Sequence, residues 1–156
     1  EFYVYKFRSM VVNAEGDGVA RLAKQNDSRI TPVGKIIRKT RLDELPQILN
    51  VLKGDMSVVG PRPERPEIAE QYEKYIPEFK YRLKVKAGIT GYAQVLGRYN
   101  TDPYDKLMWD LMYIAGYSFL MDIRLIMMTV KVIFIPESTQ GVGNKDVTAQ
   151  KKKGRV

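Results

Sequence analysis

The stretch Thr40–Pro63, TRLDELPQILNVLKGDMSVVGPRP, sets two adjacent carboxylates, Asp43 and Glu44, among cations. Arg38, Lys39 and Arg41 precede the pair, and Arg62 follows it between Pro61 and Pro63. A carboxylate pair supplies a nucleophile, a base or a ligand for a hard cation. Arginine suits phosphate oxygens, because its planar guanidinium donates two parallel hydrogen bonds. The combination points to phosphoryl chemistry with a divalent metal.

The missing residue types narrow that chemistry. There is no cysteine and no histidine among the 156 residues. Disulfides, zinc thiolate sites, thiol nucleophiles and a Ser-His-Asp triad are thereby excluded, and most zinc and copper sites with them. A metal here should be Mg²⁺ or Mn²⁺, held by carboxylates, water and substrate phosphate. General base work falls to Asp or Glu before Tyr or Lys. The net charge of +8 rests on Lys and Arg alone and favours anionic partners: nucleic acid, phospholipid or phosphorylated substrates.

The chain length fits about one domain. Residues 2–12 alternate Tyr3, Tyr5 and Phe7 with Val4, Lys6 and Arg8, which predicts a strand. A chain that opens inside a strand, with no signal peptide, reads as a piece with something missing before residue 1. Residues 14–18 read as a turn or loop, and 19–29 as a loop or short helix. Thr31-Pro32 opens a helix to about Lys39, with Val33, Ile36 and Ile37 as its apolar face.

Asp43 then caps the next helix, in which Pro46 occupies a position whose amide has no intrahelical partner. Leu45, Ile48, Leu49 and Leu52 fall at i, i+3, i+4 and i+7, which predicts a buried stripe. Gly54 stops that helix, and residues 55–60 lead as a short extended segment into the rigid Pro61-Arg62-Pro63 turn. A helix follows over about 66–76, carrying Ile68, Tyr72 and Tyr75 on one side, and 80–99 is strand-like or irregular. Asp102-Pro103 opens a helix to about Gly116, with Leu107, Leu111 and Ile114 as its apolar residues. Ser118 or Asp122 caps a last helix to about Ile135, and the tail from Pro136, ending in KKKGR, reads as mostly disordered. The apolar run 125–135 is about half the ~20 residues needed to span a bilayer, so nothing here should cross one. A basic chain with apolar helices can still lie on a membrane surface.

Each site residue also has an ordinary explanation. Aspartate is among the commonest helix caps, and glutamate is favoured in a first helical turn. Adjacency matters more, because two like charges raise one pKa unless cations offset them. Arg62 has lost backbone freedom on both sides, although most loop arginines are simply solvated. The glycines of KAGITGYAQVLGR lack the spacing of a P-loop or of GxGxxG. Asp110, Tyr113 and Asp122 are of types more often found as surface or capping residues than as ligands.

The motifs YKFRSM (5–10), KIIRKTRLDELPQILNVLKGDMSVVGPRPERP (35–66), KAGITGYAQVLGR (86–98) and WDLMYIAGYSFLMDIRLIMMT (109–129) together resemble the bacterial sugar transferases. These are also called monotopic phosphoglycosyl transferases. The resemblance covers nearly all of residues 3–135, and it implies a reaction. A sugar 1-phosphate passes from a UDP-sugar to polyprenyl (undecaprenyl) phosphate at the cytoplasmic face of the bacterial membrane. UMP is released, and the product initiates capsule, exopolysaccharide, O-antigen or glycan synthesis. The family's aspartate, here Asp43, attacks the phosphate attached to the sugar, and its glutamate, here Glu44, is the ligand for Mg²⁺. By alignment of motifs, Arg38 and Arg62 contact phosphate. Thr90, Gln94 and Arg98 are candidates for the nucleotide-sugar, and Asp110 and Asp122 weaker ones.

The resemblance also implies a hydrophobic re-entrant helix ahead of the YKFRSM segment, which this sequence lacks. The expected fold is α+β and mostly helical, a membrane-interface catalytic domain over residues 1–136. A small sheet is expected from the N-terminal strand and the regions 56–60 and 82–95, and several helices should lie along the membrane plane. Expected partners are the UDP-sugar, polyprenyl phosphate and anionic headgroups, with no nucleic acid. Two other classes remain open: a surface scaffold that keeps the fold without the chemistry, and a basic nucleic-acid-binding domain, for which no motif is present.

Overall fold

The computed structural model describes residues 1–16, 18, 23, 26–97 and 102–133. The expected tail, and Arg98, lie outside them. The fold is mostly helical with a small sheet, consistent with the α+β expectation.

Helix α1 spans Pro32–Lys39 and starts where the sequence predicts, with Thr31 Oγ1 accepting from the Gly34 amide at 2.9 Å. The last helices also follow their local signals. Asp102 accepts from the Tyr104 amide at 2.9 Å and opens α5, Pro103–Gly116. Ser118 Oγ accepts from the Met121 amide at 3.3 Å at the start of α6, Phe119–Ile133. Between them lie α2 (Gln47–Lys53), β1 (Ser57–Val59), α3 (Pro66–Glu73), β2 (Gly88–Thr90) and α4 (Tyr92–Leu96). A 3-10 turn covers Leu42–Glu44, and a longer 3-10 stretch covers Pro77–Lys84.

The sheet pairs β1 with β2 in parallel, Ser57 opposite Gly88 and Val59 opposite Thr90. Parallel strands need a crossover, here α3 and the 3-10 stretch. Backbone contact is very close on this seam: a Cβ on Gly88 would lie 2.1 Å from the Gly60 nitrogen, and one on Gly60 would lie 2.4 Å from the Lys86 oxygen. The Gly88 amide donates to the Pro61 carbonyl at 2.9 Å. These glycines therefore seat the Pro61-Arg62-Pro63 turn against the segment 86–91. Two apolar clusters meet along α5: Tyr113 packs with Val59 and Leu125, and Leu107 with Ile76 and Phe79.

Two expectations are corrected. Residues 2–9 belong to no strand, and Met10 makes only an isolated antiparallel bridge with Ile30. The backbone groups of this segment are met by other partners. The Tyr5 amide donates to Asn50 Oδ1 at 3.0 Å, Asn50 Nδ2 donates to the Tyr3 carbonyl at 2.7 Å, and the Phe7 amide donates to the Asp43 carbonyl at 3.0 Å.

The second correction has the same cause. Helix α2 is inverted: Gln47 and Asn50 are buried, whereas Leu45, Ile48, Leu49 and Leu52 are 49%, 50%, 52% and 77% exposed. Asn50 earns its burial by satisfying the N-terminal segment, so the helix turns its polar side inward and its leucines outward. On α1, Val33 and Ile36 are exposed as well, while Gly34 is buried. A Cβ at Gly34 would fall 1.9 Å from the Ser9 carbonyl oxygen, so the close packing of α1 is made by a glycine. Among the described residues, no helix is long and apolar enough to cross a membrane.

Candidate active site

Asp43 is not the cap of α2. It lies inside the 3-10 turn, and the α-helix begins four residues later. Arg41 enters this turn in the left-handed region, with φ of 58°. A non-glycine residue held there is uncommon, and such backbone collects at functional sites. The tight turn gives the adjacent carboxylates different surroundings.

Glu44 takes the cations. Arg62 reaches both of its oxygens, Nη1 to Oε2 at 3.3 Å and Nη2 to Oε1. Lys6 Nζ lies 3.4 Å from Oε1, and Arg41 Nη1 lies 4.0 Å from Oε2. Burial raises the Glu44 pKa, but the opposing pull of Arg62, Lys6 and Arg41 prevails and holds it at about 2. Asp43 is 8% exposed and forms no ion pair among the described residues. Burial, and then the charge of Glu44, push its pKa above the ordinary carboxylate value, with Lys6 and Arg38 opposing. One acid of the pair is thus locked as an anion, and the other is left without a bonded counter-ion.

Arg62 is itself held from behind. Arg82, buried, donates from Nη2 to the Arg62 carbonyl at 2.9 Å and from Nε to Asp110 Oδ2 at 2.5 Å. Asp110 is 1% exposed. Glu64, two residues beyond Arg62, contacts Lys106 and lies 4.0 Å from Arg82. The turn that presents Arg62 is therefore pinned by prolines within the chain and by a buried ionic network beneath it.

A cavity of about 250 Å³ opens beside this cluster. Arg41, Glu44 and Arg62 line it together with Thr90, Gln94 and Thr129. Leu45, Ile48, Ile89, Val95 and Val132 supply apolar wall. Leu45, just ahead of α2, and Ile48, on it, are both part of the exposed apolar stripe, so the cavity adjoins that surface. Thr90 and Thr129 share a hydroxyl hydrogen bond of 2.5 Å.

Of the residues singled out from sequence, Glu44, Arg62, Thr90 and Gln94 meet at this cavity. Asp43 and Arg38 do not line it; Arg38 Nη1 donates to Ser9 Oγ at 3.4 Å. Asp122 accepts from the Tyr113 hydroxyl at 2.9 Å. Lys6, Glu64, Arg82 and Lys106 were not expected. Lys6 meets Glu44 across 38 residues of chain, and Arg82 meets Asp110 across 28, so no local pattern announces either pair.

Among the described residues, no group of three or more acids or histidines could hold a metal ion. The donor types still suit Mg²⁺, which is commonly bound by one or two carboxylates with water and substrate phosphates. Arg62 occupies both Glu44 oxygens, so a cation would have to compete with it there.

The family model for bacterial sugar transferases matches residues 1–136. The chain is 46% identical to a UDP-N-acetylgalactosamine-undecaprenyl-phosphate N-acetylgalactosaminephosphotransferase of Aeromonas hydrophila, over 85% of this chain and 32% of that protein. It is 49% identical to a UDP-glucose:undecaprenyl-phosphate glucose-1-phosphate transferase of Klebsiella pneumoniae, over 86% of this chain and 30% of that one. The chain therefore spans only about a third of these two proteins. An uncharacterized sugar transferase of Bacillus subtilis, EpsL, is 39% identical over 98% of this chain and 72% of its own length.

Proposed function

The chain belongs to the bacterial sugar transferase family, and from there we propose that the protein moves a sugar 1-phosphate from a UDP-sugar to polyprenyl (undecaprenyl) phosphate. The observation that carries this reading is the difference in surroundings of the two acids: Arg62, Lys6 and Arg41 contact Glu44, whereas Asp43 is buried with no ion pair among the described residues. Pairs of carboxylates whose surroundings push their pKa values apart hold different roles.

An Asp43 oxygen attacks the phosphorus that bears the sugar, breaking its bond to the bridging oxygen, and UMP leaves with that electron pair. The result is an aspartyl-phosphosugar. An oxygen of polyprenyl phosphate then attacks the same phosphorus, breaking the bond to Asp43 and restoring the carboxylate. Neither step needs a net proton, in keeping with a chain that has no histidine.

Two anions approaching each other repel, so positive charge must be in place beforehand. Arg62 and Arg41 supply it at the cavity, and Arg38 and Lys6 lie close enough to Asp43 to oppose the rise of its pKa. Glu44 would hold Mg²⁺ or Mn²⁺, in competition with Arg62 at its oxygens. That ion, when bound, screens phosphoryl charge and acts as a Lewis acid. Thr90, Gln94 and Arg98 remain our assignments for the nucleotide-sugar. The exposed stripe of α2 beside the cavity suits a lipid acceptor. With the basic surface it supports residence at the cytoplasmic face of the membrane, against anionic headgroups. The product would initiate exopolysaccharide, capsule, O-antigen or glycan synthesis.

The test is UMP release by the full-length protein from a panel of UDP-sugars, with polyprenyl phosphate and Mg²⁺. Release that requires both metal and acceptor, and that is lost in Asp43→Asn, supports the reading. Undiminished release from Asp43→Asn removes Asp43 as the nucleophile.

A further inference from the structure

Lys106, near the start of α5, is largely buried and contacts Glu64, the residue that follows the Pro61-Arg62-Pro63 turn. One turn further along the same helix, Asp110 Oδ2 accepts from Arg82 Nε at 2.5 Å. Residues four apart share a helix face, so α5 brings a base and an acid to the turn together. Neither lines the cavity, and the transfer steps give Lys106 no task.

These contacts form a chain that ends on Arg62. Lys106 meets Glu64, Glu64 lies 4.0 Å from Arg82 Nη1, and Arg82 Nη2 donates to the Arg62 carbonyl at 2.9 Å. Glu64 is therefore shared between two cations, and one of them also aims Arg62. Without the charge of Lys106, the Glu64 carboxylate keeps only Arg82 of the two. A buried anion that has lost a partner pulls hard on the one that remains. The Arg82 guanidinium is then drawn toward Glu64 and off the Arg62 carbonyl.

We infer that Lys106 is a positioning residue for Arg62: by satisfying Glu64 it leaves Arg82 free to hold the turn in place. That hold depends on pH. Burial, then the charge of Arg62, lower the Lys106 pKa to about 8, with Asp110 opposing. Glu64 and Arg62 face Lys106 from the turn, Asp110 from its own helix, and Arg82, through Glu64, from the 3-10 stretch. Tyr92 of α4 packs on Trp109 instead, and Asp122 of α6 accepts from Tyr113. Arg62 and Arg82 stay charged far above pH 8, because a guanidinium does not lose its proton in that range. Lys106 is thus the cation of the cluster that lets go first.

Amide hydrogen exchange on the full-length protein tests this without substrate, read at Gly88, whose amide donates to the Pro61 carbonyl at 2.9 Å. Between pH 7 and pH 9.5 wild type should lose at least about tenfold of its protection there, after correction for intrinsic exchange. Lys106→Arg should keep the protection at both values, and Lys106→Met should lack it at both. Equal protection of wild type at the two values, or full protection of Lys106→Met at pH 7, overturns the inference. The second arm, the pH profile of UMP release, rests on the transferase reading. Wild-type kcat/KM should fall above about pH 8, and the fall should vanish in Lys106→Arg. Lys106→Met should be about tenfold slower and show no such fall. A fall that persists unchanged in Lys106→Arg overturns the inference, since a merely structural lysine predicts that result. No UMP release by wild type from any UDP-sugar defeats the transferase reading, and exchange at Gly88 then decides the role of Lys106 by itself.

Discussion

Arg82 donates to the backbone carbonyl of Arg62 at 2.9 Å, with a guanidinium that Asp110 already holds. The arginine nearest the carboxylate pair is thus aimed by a second arginine that lines no part of the cavity. If that aim matters, Arg82→Lys should keep the charge facing Asp110, lose the second arm, and lower kcat/KM by about tenfold to a hundredfold. The same substitution in an Arg62→Ala background should then cost little. A purely structural role predicts additive losses, so the double-mutant cycle decides.

Asp43→Asn should reduce transfer at least about a thousandfold, as loss of a covalent nucleophile does. Its effect on stability runs the other way. Burial raises the Asp43 pKa above its ordinary 3.8, so the stability linked to its proton is full below pH 3.8 and is lost as the pH rises through the folded-state value. At neutral pH the asparagine variant should melt higher than wild type, and the gap should close in acid. Thermal melts across pH check this.

Glu44 carries the opposite linkage. With a folded pKa of about 2 against an ordinary 4.5, its contribution is present above pH 4.5 and is lost as the pH falls toward 2. Glu44→Gln should therefore be destabilised at neutral pH and show a flatter acid limb than wild type, converging with it near pH 2. Unfolding curves between pH 2 and 6 read both. Activity should fall about a hundredfold or more through lost charge organisation at the phosphate.

Gly88→Ala should cost about 3 kcal/mol, since the added methyl would collide with the Gly60 backbone and force the strands apart. Denaturant titration measures the loss, and the Pro61-Arg62-Pro63 turn should be displaced with it.

Leu49→Asn with Leu52→Asn should leave Tm nearly unchanged, because both side chains are already exposed. If the stripe faces lipid, the pair should clearly reduce cosedimentation of the full-length protein with anionic vesicles. Unchanged sedimentation would assign the stripe another role.

Much of this chain is written locally. Thr31, Asp102 and Ser118 start helices because a cap needs only a side-chain oxygen two or three residues from an open amide. Gly54 ends α2 for the same kind of reason, adopting the φ of 81° that side chains avoid. Family membership was also legible, because the motifs YKFRSM, LDELPQ, NVLKGDMS and GPRP stand in order along the chain.

Direction was not legible. The periodicity of Leu45, Ile48, Leu49 and Leu52 fixes a face but not which side of it meets the protein, and Asn50 decides that by bonding a segment 45 and 47 residues away. The same backbone capture keeps residues 2–9 out of the sheet, although their alternation suits a strand. Adjacency brought Asp43 and Glu44 together in sequence, but only the turn at Arg41 and the approach of Lys6 and Arg62 gave Glu44 its ion pairs and left Asp43 with none among the described residues. Caps and charges act within a turn of helix, whereas burial and pairing depend on which distant surface arrives, and that belongs to the tertiary structure.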